Sequence, residues 1–104
     1  MAELVWTEPA LMDLDEVAEY IALDNPMAAS NYVRKVFKQV DRLGDFPNSG
    51  MQPSELPDTM YREVIVPPCR IFYRIENNHV YIVHVMRSER LLRSFLLGRT
   101  TKSP

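Results

Sequence analysis

Residues 70–87 read Arg70-Ile71-Phe72-Tyr73-Arg74-Ile75-Glu76-Asn77-Asn78-His79-Val80-Tyr81-Ile82-Val83-His84-Val85-Met86-Arg87. Asn77-Asn78 tolerates positive φ and marks a tight hairpin turn. The flanking runs are rich in Ile, Val, Tyr and Phe, which suit a pleated strand. They predict strands over Arg70–Glu76 and Val80–Arg87. Centring the turn between the two asparagines opposes Glu76 with His79, Ile75 with Val80, Arg74 with Tyr81 and Phe72 with Val83. Ile71 then faces His84, and Arg70 faces Val85. Opposed residues share a face. Ile71, Tyr73, Ile75, Val80, Ile82, His84 and Met86 form one, apolar enough to lie under helices. Arg70, Phe72, Arg74, Tyr81, Val83, Val85 and Arg87 form the other, expected to be an open, partly covered contact surface.

Outward from the hairpin, Tyr61–Val66 predicts a third strand joined through a Pro67-Pro68 turn. Before it, Pro47, Gly50, Pro53 and Pro57 forbid regular structure over 45–59, and so long a link is often functional. Upstream, Thr7 is a candidate N-cap with Pro9 in the first turn of a helix. Leu11, Leu14, Val17, Ala18 and Ile21 recur at helical spacing, with Asp13, Asp15, Glu16 and Glu19 between them. Asn25-Pro26 restarts the chain as N-cap and first helical residue. The second helix is expected from Pro26 to about Leu43, with Ala29, Val33, Val36, Phe37 and Val40 inward and Gly44 as the stop. The short joint makes an antiparallel helix hairpin. Ala2–Trp6 is a candidate edge strand. Ser88 is a candidate cap for a final helix carrying Leu91, Leu92, Phe95 and Leu96 on one side and ending at Gly98. The expected fold is α+β, in the order β-α-α-β-β-β, with the helix hairpin on a mainly antiparallel sheet and a helix at the C-terminus. A single domain is expected over residues 1–98, with 99–104 as a frayed tail.

The chain has 104 residues, 46% of them hydrophobic and 25% charged, an ordinary globular composition. One cysteine excludes an internal disulfide framework and a Cys-only zinc site. No apolar run approaches the roughly 18 residues of a membrane span. Met1–Pro9 lacks a basic region ahead of an apolar core, so a cytoplasmic location is expected. The net charge of −2 hides an asymmetry. Residues 1–60 set four basic groups against eleven acids, and residues 61–104 set eight against three. An acidic face and a basic face follow. The basic half could attract phosphates or an acidic protein segment, or its arginines could simply solvate a β-rich half.

The usual catalytic groups are sparse. His84 falls among core residues and reads as a hydrogen-bonded structural histidine. His79 lies beside the turn and reads as exposed. Cys69 reads as a small apolar filler, with no histidine near it in sequence. The three glycines, at 44, 50 and 98, form no phosphate loop. Neither a metal site nor a cofactor site is expected. Asp13, Glu16 and Glu19 read as a solvated helix face. The arginines remain: Arg62, Arg70, Arg74, Arg87, Arg90 and Arg93 fall on or just after the strands. Guanidinium forks onto phosphate or carboxylate but is no general base at neutral pH. Phe72 and Tyr81 between them could stack bases. The same set could equally hold an acidic peptide.

Several stretches resemble the ParE/RelE toxin superfamily of type II toxin–antitoxin modules. Trp6-Thr7-Glu8-Pro9-Ala10 with Asp13-Leu14 resembles the family opening. Tyr20-Ile21, Asn25-Pro26 and Ala28-Ala29 resemble its helix joint, and Leu43-Gly44-Asp45-Phe46-Pro47-Asn48-Ser49-Gly50 its link. Tyr61-Arg62-Glu63-Val64, Cys69-Arg70-Ile71-Phe72-Tyr73-Arg74-Ile75 and Val83-His84-Val85-Met86-Arg87 resemble its strands, although the position of Cys69 is more often Tyr. The resemblance covers residues 3–90 and implies one of two activities. RelE-like members are ribosome-dependent mRNA endonucleases; ParE-like members poison DNA gyrase. Arg70 and Arg87 match basic positions of the nuclease members. However, the link from Gly44 to Met60 has no Lys or Arg, and the segment after Arg87 has no Tyr or His. The Asn25-Pro26 joint and Tyr61-Arg62-Glu63 also look more like ParE. The resemblance therefore implies a growth-inhibiting gyrase poison rather than an enzyme, with roles in plasmid maintenance or stress response. The RNase, or a non-toxic member that only forms an antitoxin complex, is the alternative. The implied partner is a cognate antitoxin, in a hetero-oligomer, with no membrane contact and no sequence-specific DNA binding by the toxin itself. The expected target-binding residues are Arg62, Arg70, Arg74, Tyr81, Arg87 and Arg90. The expected antitoxin-binding residues are Phe72, Val83, Val85, Leu91, Leu92 and Phe95.

Overall fold

In the computed structural model, which describes residues 1–93 and 97, Asn77 and Asn78 take φ of 51° and 61°. Both residues of the turn are left-handed, as a two-residue hairpin with the twist of its strands requires. The hairpin joins β3 (Cys69–Glu76) to β4 (His79–Arg87), and β2 (Arg62–Val66) pairs antiparallel with β3. β1 (Glu3–Trp6) lies parallel to β4, giving the order β1-β4-β3-β2.

The register near the turn is the expected one, from Glu76↔His79 to Arg74↔Tyr81, and then it breaks. Tyr73 opposes Ile82 and Phe72 opposes His84, leaving Val83 as an extra residue in β4. A bulge re-aims every side chain beyond it. The expected pairs Phe72–Val83, Ile71–His84 and Arg70–Val85 are replaced by Phe72–His84, Ile71–Val85 and Arg70–Met86. Val85 therefore packs under the helices, while Met86 turns to the opposite face. Arg87, opposite Cys69, leaves the face of Arg70 and reaches Tyr20 on the helix side.

The helix hairpin follows its caps. Thr7 accepts from the Ala10 amide and donates its hydroxyl to the Ile82 carbonyl at 2.6 Å, so α1 (Glu8–Asp24) starts where β1 leaves β4. Asn25 alone joins the helices, and its side chain accepts from Ala28 N–H at 3.1 Å to start α2 (Pro26–Asp41). A 3₁₀ turn over Arg42–Gly44 ends the hairpin. The core stripe of α1 is rotated from the expected one: Ala10 and Leu14 are buried, whereas Leu11 is 42% exposed. On α2, Tyr32 joins Ala29, Val36 and Val40 in the core, and its hydroxyl donates to the Val66 carbonyl at 2.6 Å.

The second sheet face is not open. Phe72, Val83, Met86, Leu92 and Leu97 form a second buried cluster, flanked by Leu56, Tyr61 and Tyr81. The 45–60 link and the segment after β4 thus cover it. Ser88 does not cap a helix: residues 88–90 form a turn and Leu91–Arg93 has no regular structure. Expectations for Phe95, Leu96, Gly98 and the 99–104 tail lie outside the described residues.

Candidate functional site

Arg70 decides how the expected basic face must be read. It is only 7% exposed, and all five of its N–H donors are used. Nε donates to Glu63 Oε1 at 2.7 Å, and Nη2 to Glu55 Oε1 at 2.7 Å and Glu63 Oε2 at 3.3 Å. Nη1 donates to Glu55 Oε2 at 2.8 Å and to the Arg90 carbonyl at 3.2 Å. Glu55 Oε2 also accepts from the Leu92 amide at 3.0 Å. The Arg70 guanidinium holds the Glu55 carboxyl down at about 2, and Glu55 with Glu63 raises the Arg70 pKa further. Arg70 therefore joins β3, β2, the link and the segment after β4, with no donor left over for a target.

The other expected target-binding residues separate into distinct places. Arg62 donates to the Gly50 carbonyl at 2.7 Å and the Asn48 carbonyl at 3.3 Å, tying the link to β2. At the hairpin end, Arg74 lies 4.3 Å over the Tyr81 ring, which stacks on His79, and its Nη2 is 3.3 Å from Glu76. His79 is thus half-buried in that stack rather than plainly exposed. At the far end, Arg87 donates to Glu89 at 2.8 Å and lies 5.6 Å from the exposed Tyr20 ring. The side chains of Arg90 and Arg93 are exposed beside it.

Arg87, Arg90 and Arg93 line a groove of about 730 Å³ with Tyr20, Glu16 and Leu91. Its origin is topological. β1 pairs with β4 only as far as Ile82, so beyond that point the strand edge meets α1 instead. Asp13 completes this edge: its Oδ2 accepts from Val85 N–H at 3.1 Å and lies 2.7 Å from His84 Nδ1. A carboxylate only accepts, so Nδ1 carries the proton. Asp13 is therefore an interfacial clamp and not the solvated acid expected. His84 is buried, stacked 5.7 Å from Phe72, and structural. A second groove of about 690 Å³ shares Tyr20 and Arg87 and continues to Asn25 at the helix joint.

Of the expected antitoxin-binding residues, Phe72, Val83 and Leu92 are buried in the second cluster and Val85 in the first. Leu91 is 73% exposed in the groove, and Phe95 lies outside the described residues. Sequence reasoning missed Glu55, Asp13 and Tyr20. Tyr20 alone carried a signal, an aromatic ring on the polar side of an acidic helix. Burial raises the pKa of the Cys69 thiol and of the Tyr32 and Tyr73 hydroxyls, keeping all three protonated. Among the described residues, no three His, Cys, Asp or Glu side chains gather as a metal site, and no helix is long and apolar enough to cross a membrane.

The sequence model of a family described as "ParE toxin of type II toxin-antitoxin system, parDE" matches residues 4–92, which take in both helices and all of the strands but Glu3. The chain belongs to this ParE toxin family. Toxin RelE2 of Caulobacter vibrioides is 33% identical over 91 residues, covering 88% of this ParE-family chain and all of that relative. Putative toxin Y4kP of Sinorhizobium fredii is 39% identical over 85 residues, covering 80% and 84%. Among solved structures, one described as the chromosomal ParDE TA system from P. aeruginosa matches at 30% identity and a TM-score of 0.73, covering 86% of this chain and 98% of that one. The toxin–antitoxin complex RelBE2 from Mycobacterium tuberculosis shares the fold at 19% identity and a TM-score of 0.53, covering 83% and 96%.

Proposed function

We propose that this ParE-family toxin binds and poisons DNA gyrase and is neutralised by a cognate antitoxin. One observation carries the reading: the groove presents Arg87, Arg90 and Arg93 at its surface, while His84, which also lines it, is only 5% exposed with its Nδ1 held by Asp13, and the Cys69 thiol is buried. Guanidinium groups grip carboxylates and phosphates but do not move protons at neutral pH. Arg62, Arg70 and Arg74 are committed to the protein's own acceptors and rings, whereas Arg87, although its Nε meets Glu89, keeps 37% of its side chain exposed against 16% for Arg74, so the target-facing set narrows to Arg87, Arg90 and Arg93 with Tyr20. Leu91 in the same groove gives an antitoxin segment an apolar anchor beside the arginines, so its binding would bury the groups that meet the target. A cytoplasmic complex of the two proteins follows from this reading. The test is a supercoiled-plasmid assay with purified gyrase: the toxin is expected to accumulate cleaved plasmid, and the antitoxin to abolish it. Unchanged gyrase products would end the reading.

The ribosome-dependent RNase is the second reading, and Tyr20 beside Arg87 favours it, since an exposed phenol could exchange a proton next to a guanidinium. Tyr20→Phe separates the two. A gripping surface uses the ring and keeps its toxicity, whereas a phenol in proton transfer is lost, with a drop of roughly a hundredfold or more in message cleavage.

A further inference from the structure

We propose that Glu55 and Arg70 are positioning residues: together they latch the segment after β4 to the sheet and so set Arg90 and Arg93 in the groove. The described first part of the segment has no regular structure to hold it: residues 88–90 form a turn and 91–93 are irregular. Its backbone is gripped on both sides of Leu91. Arg70 Nη1 takes the Arg90 carbonyl at 3.2 Å, and Glu55 Oε2 takes the Leu92 amide at 3.0 Å. Ser88 N–H to the Pro68 carbonyl at 2.9 Å and Arg90 N–H to the Arg87 carbonyl at 3.1 Å hold only its first turn.

Alternation does the rest. Leu92, between the exposed Leu91 and Arg93, drops into the second cluster at 5% exposure. With the backbone fixed at Arg90 and Leu92, the side chains of Arg90, Leu91 and Arg93 line the groove against α1. The charges of the latch face inward and are consumed there, while those of the segment face outward. An Arg serves here because five donors in a fixed plane can satisfy two carboxylates and still reach a carbonyl. Lysine, with three donors on a flexible stem, cannot.

The inference rests on the reading that this groove meets the toxin's target, so the experiment reads latch and toxicity separately. Amide exchange at Leu92 and Val80 is compared in the full chain and in Glu55→Gln, with Glu55→Asp as the milder variant if the first does not fold. Growth arrest on induction is compared for the same chains and for Arg90→Ala with Arg93→Ala. In Glu55→Gln, protection at Leu92 relative to Val80 is expected to fall roughly tenfold. Arrest is expected to weaken to the level of the double arginine variant, and combining all three changes is expected to add nothing further. Relative Leu92 protection that survives the change overturns the latch. Arrest losses that simply add, or full arrest without Arg90 and Arg93, overturn the positioning role. A parent chain that never arrests growth removes the proposed function instead, and exchange still decides the latch.

Discussion

Arg70 shows how one residue type can serve opposite ends. A guanidinium on a strand can be a hand held out to a target or a bolt through the protein, and the partners decide which. Here both carboxylates are within 2.7 Å and the side chain is 8% exposed. Removing one member of such a cluster leaves buried charges unpaired, at a cost of about 3–5 kcal/mol. Arg70→Ala is therefore expected to lose toxicity because it unfolds, with a much lower denaturation midpoint, whereas Arg90→Ala keeps the parent midpoint. Glu55 adds a pH dependence. Its carboxyl is held at about 2, against 4.5 for a free one, so its stabilisation is complete above pH 4.5 and lost as pH falls towards 2. Allowing for solvent screening, about 1–2 kcal/mol of stability is expected to vanish across that window. Urea midpoints measured down the series check this, since Glu55→Gln should lack the slope.

At the scale of elements, periodicity and caps revealed both helices, all four strands nearly to the residue, and the turn. They could not reveal the bulge. Val83 is an ordinary strand residue, and no glycine marks the extra position, so a pairing counted from the turn stays plausible while being wrong beyond Tyr73. That slip sent His84 to the wrong face, left Val85 on the contact surface and put Arg87 beside Arg70. The candidate site suffered more than the fold, because the groove exists only where β4 outruns β1. The 45–60 link was legible as irregular and long, but its anchors are tertiary. Tyr73 Oη donates to the Pro47 carbonyl at 2.7 Å and accepts from Gly50 N–H at 2.9 Å. A Cβ on Gly50 would lie 2.8 Å from both the Glu63 carbonyl oxygen and the Tyr73 ring. Gly50→Ala is therefore expected to destabilise by about 1–3 kcal/mol through forced movement of the link, read from thermal or chemical denaturation.

At the scale of the whole molecule, one sheet supports two cores, and the asymmetry between them matters. The helix hairpin covers one face with regular structure. The other face is covered by side chains of the link and of the chain after β4, with Leu92 and Leu97 at 5% and 1% exposure against Phe72, Val83 and Met86. Cover of this kind depends on a few large side chains. Leu92→Ala and Leu97→Ala are each expected to cost about 2–4 kcal/mol. Leu91→Ala, at a site 73% exposed, is expected to stay within about 0.5 kcal/mol. Denaturation midpoints of the three variants, read at matched slopes, test this contrast. Antitoxin affinity is expected to rank them differently: on the proposed reading Leu91 weakens it most, because that side chain is the apolar anchor left at the surface. Equal stability losses at Leu91 and Leu97 would mean that the second face is closed in some other way, and the groove would then lose the wall on which Arg90 and Arg93 stand.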